Sequence, residues 1–275
     1  MFHQKMPDAV PLTPDLVVDG VSVSADKVPI VRDLSFKATA GEVLAIIGPS
    51  GSGKTTLMRA MTGEMAYRGT ISLGGPEVRG LAPEVLACVR GVLPQASQIS
   101  FPLNVSEVVG LGLIDGQRDR QARKRRIAEA LGRVGLSGFE GRTYQDLSGG
   151  EQQRVQLARV LCQVWEPLDP VGAPRWLFLD EPVSSLDIKH QYQIMRLARD
   201  YAINGGGVVA VLHDLNLTAA FADRVLVMRD GEGLAFGLRD EVMRPELLSV
   251  TYDFPLECLA VAGARPVIVP AEDKA

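Results

Sequence analysis

Short stretches at 42–47, 176–179 and 208–212 run apolar without alternation, and each stops at residues with usable chemistry. The first stops at a glycine-rich loop, the second at Asp180-Glu181, the third at His213. A strand that is apolar on both faces belongs in the middle of a parallel sheet covered by helices. Helical spacing follows each run: 55–62 halted by Gly63, 188–202 halted near Gly205, and a third segment over 215–221. Strands alternating with helices predict an α/β fold with a mainly parallel sheet. Ligands of such sheets bind beyond the carboxyl ends of the strands, where these polar residues collect.

The flanks read differently. Residues 16–23, 34–38 and 69–74 alternate partly and are separated by turn residues, which predicts an antiparallel patch beside the main sheet. From about 100 to 165 the chain is helix-rich and breaks the α/β alternation, as an inserted helical subdomain would. A proline- and glycine-rich stretch, 166–174, predicts an exposed loop. The expected division is a tail over 1–13, one domain over 14–244 and a weakly periodic tail over 245–275.

Composition narrows the class without naming it. The 275 residues are 46% hydrophobic and 23% charged, which excludes disordered, collagenous and disulfide-scaffold chains. Three scattered cysteines, Cys88, Cys162 and Cys258, fit a reducing compartment and no structural zinc site. No window approaches the roughly 18 apolar residues of a membrane span, and the first residues lack the apolar core of a secretory signal. A formal charge of −4 gives no general attraction to nucleic acid. The basic run from Arg118 to Arg126 has the spacing of a solvated helix face.

Gly48-Pro49-Ser50-Gly51-Ser52-Gly53-Lys54-Thr55 completes the pattern G-x-x-x-x-G-K-[ST] between a predicted strand and a predicted helix. Glycines let backbone N–H groups turn inward around phosphate oxygens, and the helix N-terminus adds its unsatisfied donors. Lys54 then suits the β- and γ-phosphates and Thr55 suits Mg²⁺. At the second strand end Asp180 is a candidate Mg²⁺ ligand and Glu181 a candidate base for an attacking water. His213 occupies the corresponding place on the third, where it would sense a γ-phosphate. Leu147-Ser148-Gly149-Gly150-Glu151 opens a long helix running to about Val164. Ser148 with Glu151 is a capping box, yet capping requires neither the glycine pair nor the Gln152-Gln153-Arg154 that follows.

With this last motif the chain resembles the ATP-binding cassette (ABC) ATPases over nearly its whole length. The glycine-rich loop matches Walker A, Leu177–Glu181 Walker B and Leu147–Glu151 the signature. Gln95 matches the Q-loop glutamine, Ser185-Leu186-Asp187 the D-loop and His213 the switch histidine. The resemblance implies a P-loop NTPase fold with a RecA-like core, an antiparallel β subdomain and an inserted helical subdomain. It implies ATP and Mg²⁺ as ligands. Gly48, Pro49, Ser50, Gly51, Ser52, Gly53, Lys54, Thr55 and Thr56 would bind the nucleotide, and Thr55, Gln95 and Asp180 the metal. Glu181, His213 and Gln95 would serve hydrolysis. Ser148, Gly149, Gly150 and Asp187 would act across a head-to-tail homodimer, on the partner's nucleotide.

Finer wording resembles importers of iron chelates, haem and cobalamin, in Leu93-Pro94-Gln95, in the segment from Phe101 to Val109, and in His213-Asp214-Leu215-Asn216. Trp165-Glu166-Pro167 and the proline-rich loop after it are most similar to hemin-import ATP-binding subunits. That resemblance implies two transmembrane permease subunits, an indirect partnership with a periplasmic haem-binding protein, no nucleic acid, and a place on the cytoplasmic face of the inner membrane. A siderophore or cobalamin importer, or a non-transport cassette working on ribosome or nucleic acid, remain the alternatives. One departure stands out: no Phe, Trp or Tyr occurs between Leu16 and Ser35, where many cassettes stack adenine. An apolar contact in its place, or weak ATP binding, follows.

Overall fold

The structure, a computed structural model, describes residues 14–95, 99–114, 119–260 and 265–271. Residues 1–13 and Arg118 lie outside that set. Strands β3 (Val43–Ile47), β6 (Trp176–Asp180) and β7 (Gly207–Val211) are buried at every position. Alternate side chains explain why. Val43, Ala45 and Ile47 face one core, while Leu44 and Ile46 face the other. The central sheet has the order β5-β6-β7-β3-β8-β9, where β5 is Arg90–Leu93, β8 is Arg224–Arg229 and β9 is Glu232–Leu238. Every pairing is parallel except β8 with β9, which closes one edge as a hairpin.

One face of this sheet is covered by a second, antiparallel sheet of order β2-β1-β4, made of β1 (Asp15–Ala25), β2 (Val28–Thr39) and β4 (Arg68–Leu73). Its inward residues Leu16, Val18, Ile71 and Leu73 share a core with Leu57 and Met58 of α1 (Lys54–Met61) and with Phe178 and Val209 of the central sheet. Helix α2 (Pro83–Val89) leads into β5 and adds Leu86 to that core. The other face carries the helical insertion: α3 (Val105–Gly110), α4 (Arg120–Arg133) and α5 (Gly149–Gln163). In α4 Ile127, Ala130 and Leu131 are buried while Lys124 and Arg125 are exposed. Arg126 and Arg133 cover the Trp165 ring at 4.3 and 3.9 Å from its centre. Helices α6 (Ile188–Ile203) and α7 (Leu215–Phe221) pack on the same face.

Beyond 244, where the sequence shows little periodicity, the described residues 245–260 and 265–271 are structured. The short helix α8 (Arg239–Val242) is followed by α9 (Pro245–Tyr252) and a hairpin of β10 (Leu256–Leu259) with β11 (Val267–Pro270). Leu248 and Ile268 enter the main core, so the segment is docked on the sheet.

Candidate functional site

The loop after β3 is shaped by how closely it passes its neighbours. A Cβ on Gly48 would lie 2.0 Å from the Met228 carbonyl oxygen, so only glycine fits there. Gly53, at φ 96°, turns the backbone into α1, and no side chain among the described residues caps that helix. Its first N–H groups therefore face the loop, a ready anion site. The Lys54 ammonium donates to the Gly48 and Pro49 carbonyls, each at 2.8 Å, which holds it beneath the loop. Burial pushes Lys54 down from its ordinary value, opposed by the carboxylates of Glu181 and Asp180. The Ser52 hydroxyl is buried with no hydrogen-bond partner among the described residues. An unsatisfied buried hydroxyl is costly unless a ligand oxygen takes it up.

The ends of β6 and β7 bring the other groups alongside. Asp180, the last residue of β6, is 4% exposed and accepts a hydrogen bond from the Thr55 hydroxyl at 3.1 Å. Burial pushes its carboxyl above the ordinary range, against the Thr55 hydrogen bond. Glu181 follows at φ 50°, a left-handed conformation uncommon outside glycine and enriched at functional sites. Its Oε1 lies 2.6 Å from Nε2 of His213. The hydroxyl of Thr55 and the carboxylate of Asp180 form an oxygen pair suited to a hard cation. No group of three or more His, Cys, Asp or Glu among the described residues forms a closed metal cage.

The remaining candidates stand apart from this cluster. Ser148 caps α5: its hydroxyl donates to the Glu151 carboxylate at 2.7 Å and accepts from the Glu151 N–H at 3.4 Å. The Ser148 hydroxyl and the Ser148 N–H, which donates to Glu151 Oε2 at 2.8 Å, hold the Glu151 carboxyl below its usual range. Gly150 lies against the loop after β6, since a Cβ there would be 3.0 Å from the Ser185 carbonyl oxygen. Asp187 caps α6, accepting from the His190 N–H at 2.9 Å. Gln95 is exposed beyond the end of β5. None of Ser148, Asp187 and Gln95 hydrogen-bonds Lys54, Thr55 or Asp180 among the described residues. Thr56 lies half-buried on α1. One link escaped the sequence reading: Gln153 Nε2 donates to the Glu181 carbonyl at 2.9 Å, tying α5 to the candidate base. Its signal was the Gln-Gln pair that capping does not explain.

A phosphate-cradling loop, an acidic strand end and a capped glycine-rich helix on a helical insertion define a nucleotide-hydrolysing cassette. The chain belongs to the ABC transporter family, whose model matches residues 31–184, and it is an ATPase of that class. It is 57% identical to the "Hemin import ATP-binding protein HmuV" of Jannaschia sp. (strain CCS1), over 88% of each chain. The protein of the same name from Rhizobium johnstonii is 56% identical, over 86% of this chain and 89% of its own. Among solved structures, an ATP-binding cassette captured as a dimer with ADP and phosphate superposes with a TM-score of 0.72 at 26% identity. That likeness covers 82% of this chain and 98% of the other.

Proposed function

We propose that this chain is the ATP-hydrolysing subunit of a haem importer, working as a head-to-tail homodimer beneath two transmembrane permease subunits. The observation that carries the chemistry is the line Thr55–Asp180–Glu181–His213 beside the glycine loop. The loop from Gly48 to Thr56 cradles the triphosphate, with Lys54 on the β- and γ-phosphates. Thr55, Asp180 and Gln95 would hold Mg²⁺, which when bound offsets charge on the phosphate oxygens. Glu181 accepts a proton from the attacking water as its oxygen bonds to the γ-phosphorus and the bond to ADP breaks. His213, hydrogen-bonded to Glu181, orients it and reaches the γ-phosphate. Ser148, Gly149, Gly150 and Asp187 complete the site of the partner subunit. Ile30 of β2, which lies against Gly53 of the loop, and the exposed Val28 would offer adenine an apolar surface in place of an aromatic ring.

The haem assignment rests on the identity to the hemin-import proteins. No helix among the described residues is long and apolar enough to cross a membrane. That fits a subunit held peripherally by its permease, on the cytoplasmic face of the inner membrane. Glu181→Gln should keep ATP binding, lower turnover by about 10²-fold or more and accumulate a dimer on size exclusion in ATP. Near-normal hydrolysis would remove Glu181 from its role. For the cargo, haem-loaded binding protein should stimulate the reconstituted complex and siderophore-loaded protein should not.

A further inference from the structure

The C-terminal hairpin offers its backbone to the helix that follows His213. Within the β10–β11 pair Ile268 stands opposite Cys258. In an antiparallel ladder a residue of a non-hydrogen-bonded pair turns both its backbone groups outward. The side chain of Asn216, on α7, meets both. Its Oδ1 accepts from the Ile268 N–H at 2.8 Å, and its Nδ2 donates to the Ile268 carbonyl at 3.1 Å. Only an amide, with acceptor and donor side by side, can stand in for the missing strand in this way.

Further contacts carry the same segment onto the site. Arg265 donates to the Ala219 carbonyl at 3.0 Å and also to that of Ala220, in the last turn of α7, where helical partners run out. At the other end of α7 Asp214 accepts from the N–H groups of Asn216 and Leu217 at 2.7 and 2.9 Å, so the cap adjoins His213 directly. The Tyr252 hydroxyl of α9 is buried against the backbone of Gly48. One C-terminal segment therefore touches both the glycine loop and the helix that carries His213. Asn216 and Arg265 are exposed, and hydrogen bonds in competition with water contribute little to global stability. They fix the direction of α7.

We propose that residues 245–260 and 265–271 form a brace that holds α7, and with it His213 beside Glu181, and that Asn216 is the positioning residue through which the brace acts. The inference rests on the reading of His213 given above. Its test is steady-state ATPase kinetics and hydrogen exchange on the full-length dimer. Asn216→Ala should lower kcat about tenfold or more, the scale of a displaced catalytic group, with KM for ATP held within about twofold. The thermal midpoint should stay put, and faster exchange should be confined to α7. Arg265→Ala, at an exposed position that cannot threaten folding, should shift kcat in the same direction. In a His213→Ala background Asn216→Ala should add nothing, because a missing imidazole cannot be mispositioned. Independent effects that multiply, or an unchanged kcat in Asn216→Ala and Arg265→Ala, would overturn the brace. Full turnover in His213→Ala would overturn the reading of the site as well. Loss there with none in Asn216→Ala defeats the brace alone.

Discussion

Asp180 sits where a negative charge is expensive. Its carboxyl is buried at the end of β6, and burial raises its pKa above the ordinary range. The folded protein therefore binds that proton more tightly than the unfolded chain does. As pH rises from the ordinary carboxyl value, about 4, through the raised folded value, this residue's contribution to stability falls. At neutral pH the charged carboxylate is a net cost, one that the metal role proposed above would account for. Asp180→Asn keeps an acceptor for Thr55 and removes the charge. In buffer free of nucleotide and magnesium it should melt higher than the wild type at pH 7, by about 2–4 °C for each kcal/mol relieved. The gap should close as pH falls toward about 4. Magnesium with ATP should raise the wild-type midpoint by mass action and the variant's much less, with turnover lost. A variant no more stable at pH 7 would show that the neighbouring ammonium of Lys54 already offsets the burial.

At the scale of elements, Ser148 carries two roles that substitution can separate. The capping box it forms with Glu151 is a structural device, and replacing an N-cap serine by alanine costs about 1 kcal/mol. The role proposed above is different, a contact with the partner's nucleotide. Ser148→Asn keeps a good cap with a bulkier tip. It should therefore hold the wild-type thermal midpoint while losing turnover, whereas Ser148→Ala should lose both. Turnover that follows stability across the two variants would reduce Ser148 to a cap. The sequence disclosed this helix because its motif exceeded what capping requires. It disclosed β3, β6 and β7 because burial on both faces leaves no polar position in the run. Strand β8 is as buried in its middle, yet its run ends at Arg229 with no chemistry to mark it, and it passed unremarked. The C-terminal helix and hairpin were illegible for another reason. Their strands are four residues long, half exposed and bounded by Pro255, Pro266 and Pro270, so no period accumulates. Asn216 was visible as a letter in His213-Asp214-Leu215-Asn216, but its partner Ile268 lies 52 residues away and no local pattern links them.

At the scale of the molecule, the groups brought together are, on the function proposed above, half of a site. Lys54, Thr55, Asp180, Glu181 and His213 converge at the carboxyl ends of the central strands, while Ser148 is spent on its own cap and hydrogen-bonds none of them among the described residues. A second copy, related by a two-fold axis, would supply the missing face in both directions. This arrangement has a consequence that no single-subunit enzyme shares. Lys54→Ala ruins the loop and Ser148→Arg ruins the signature, so a homodimer of either should be inactive. In a mixed dimer both lesions fall in the same composite site, and the other site pairs an intact loop with an intact signature. Equal mixing makes about half the dimers mixed, each with one sound site of two, so about a quarter of the wild-type rate should return if the sites work independently. If hydrolysis needs both sites filled and competent, the mixture stays silent, although Ser148→Arg alone, with its loop intact, should still bind nucleotide. Mixing after separate purification, with turnover followed against the ratio of the two variants, distinguishes these outcomes. A maximum at equal proportions, absent from either pure variant, is the signature of a site shared between chains. A Ser148→Arg homodimer that hydrolyses ATP normally would place the whole site within one subunit and leave the paired glycines before Glu151 with no role beyond their helix.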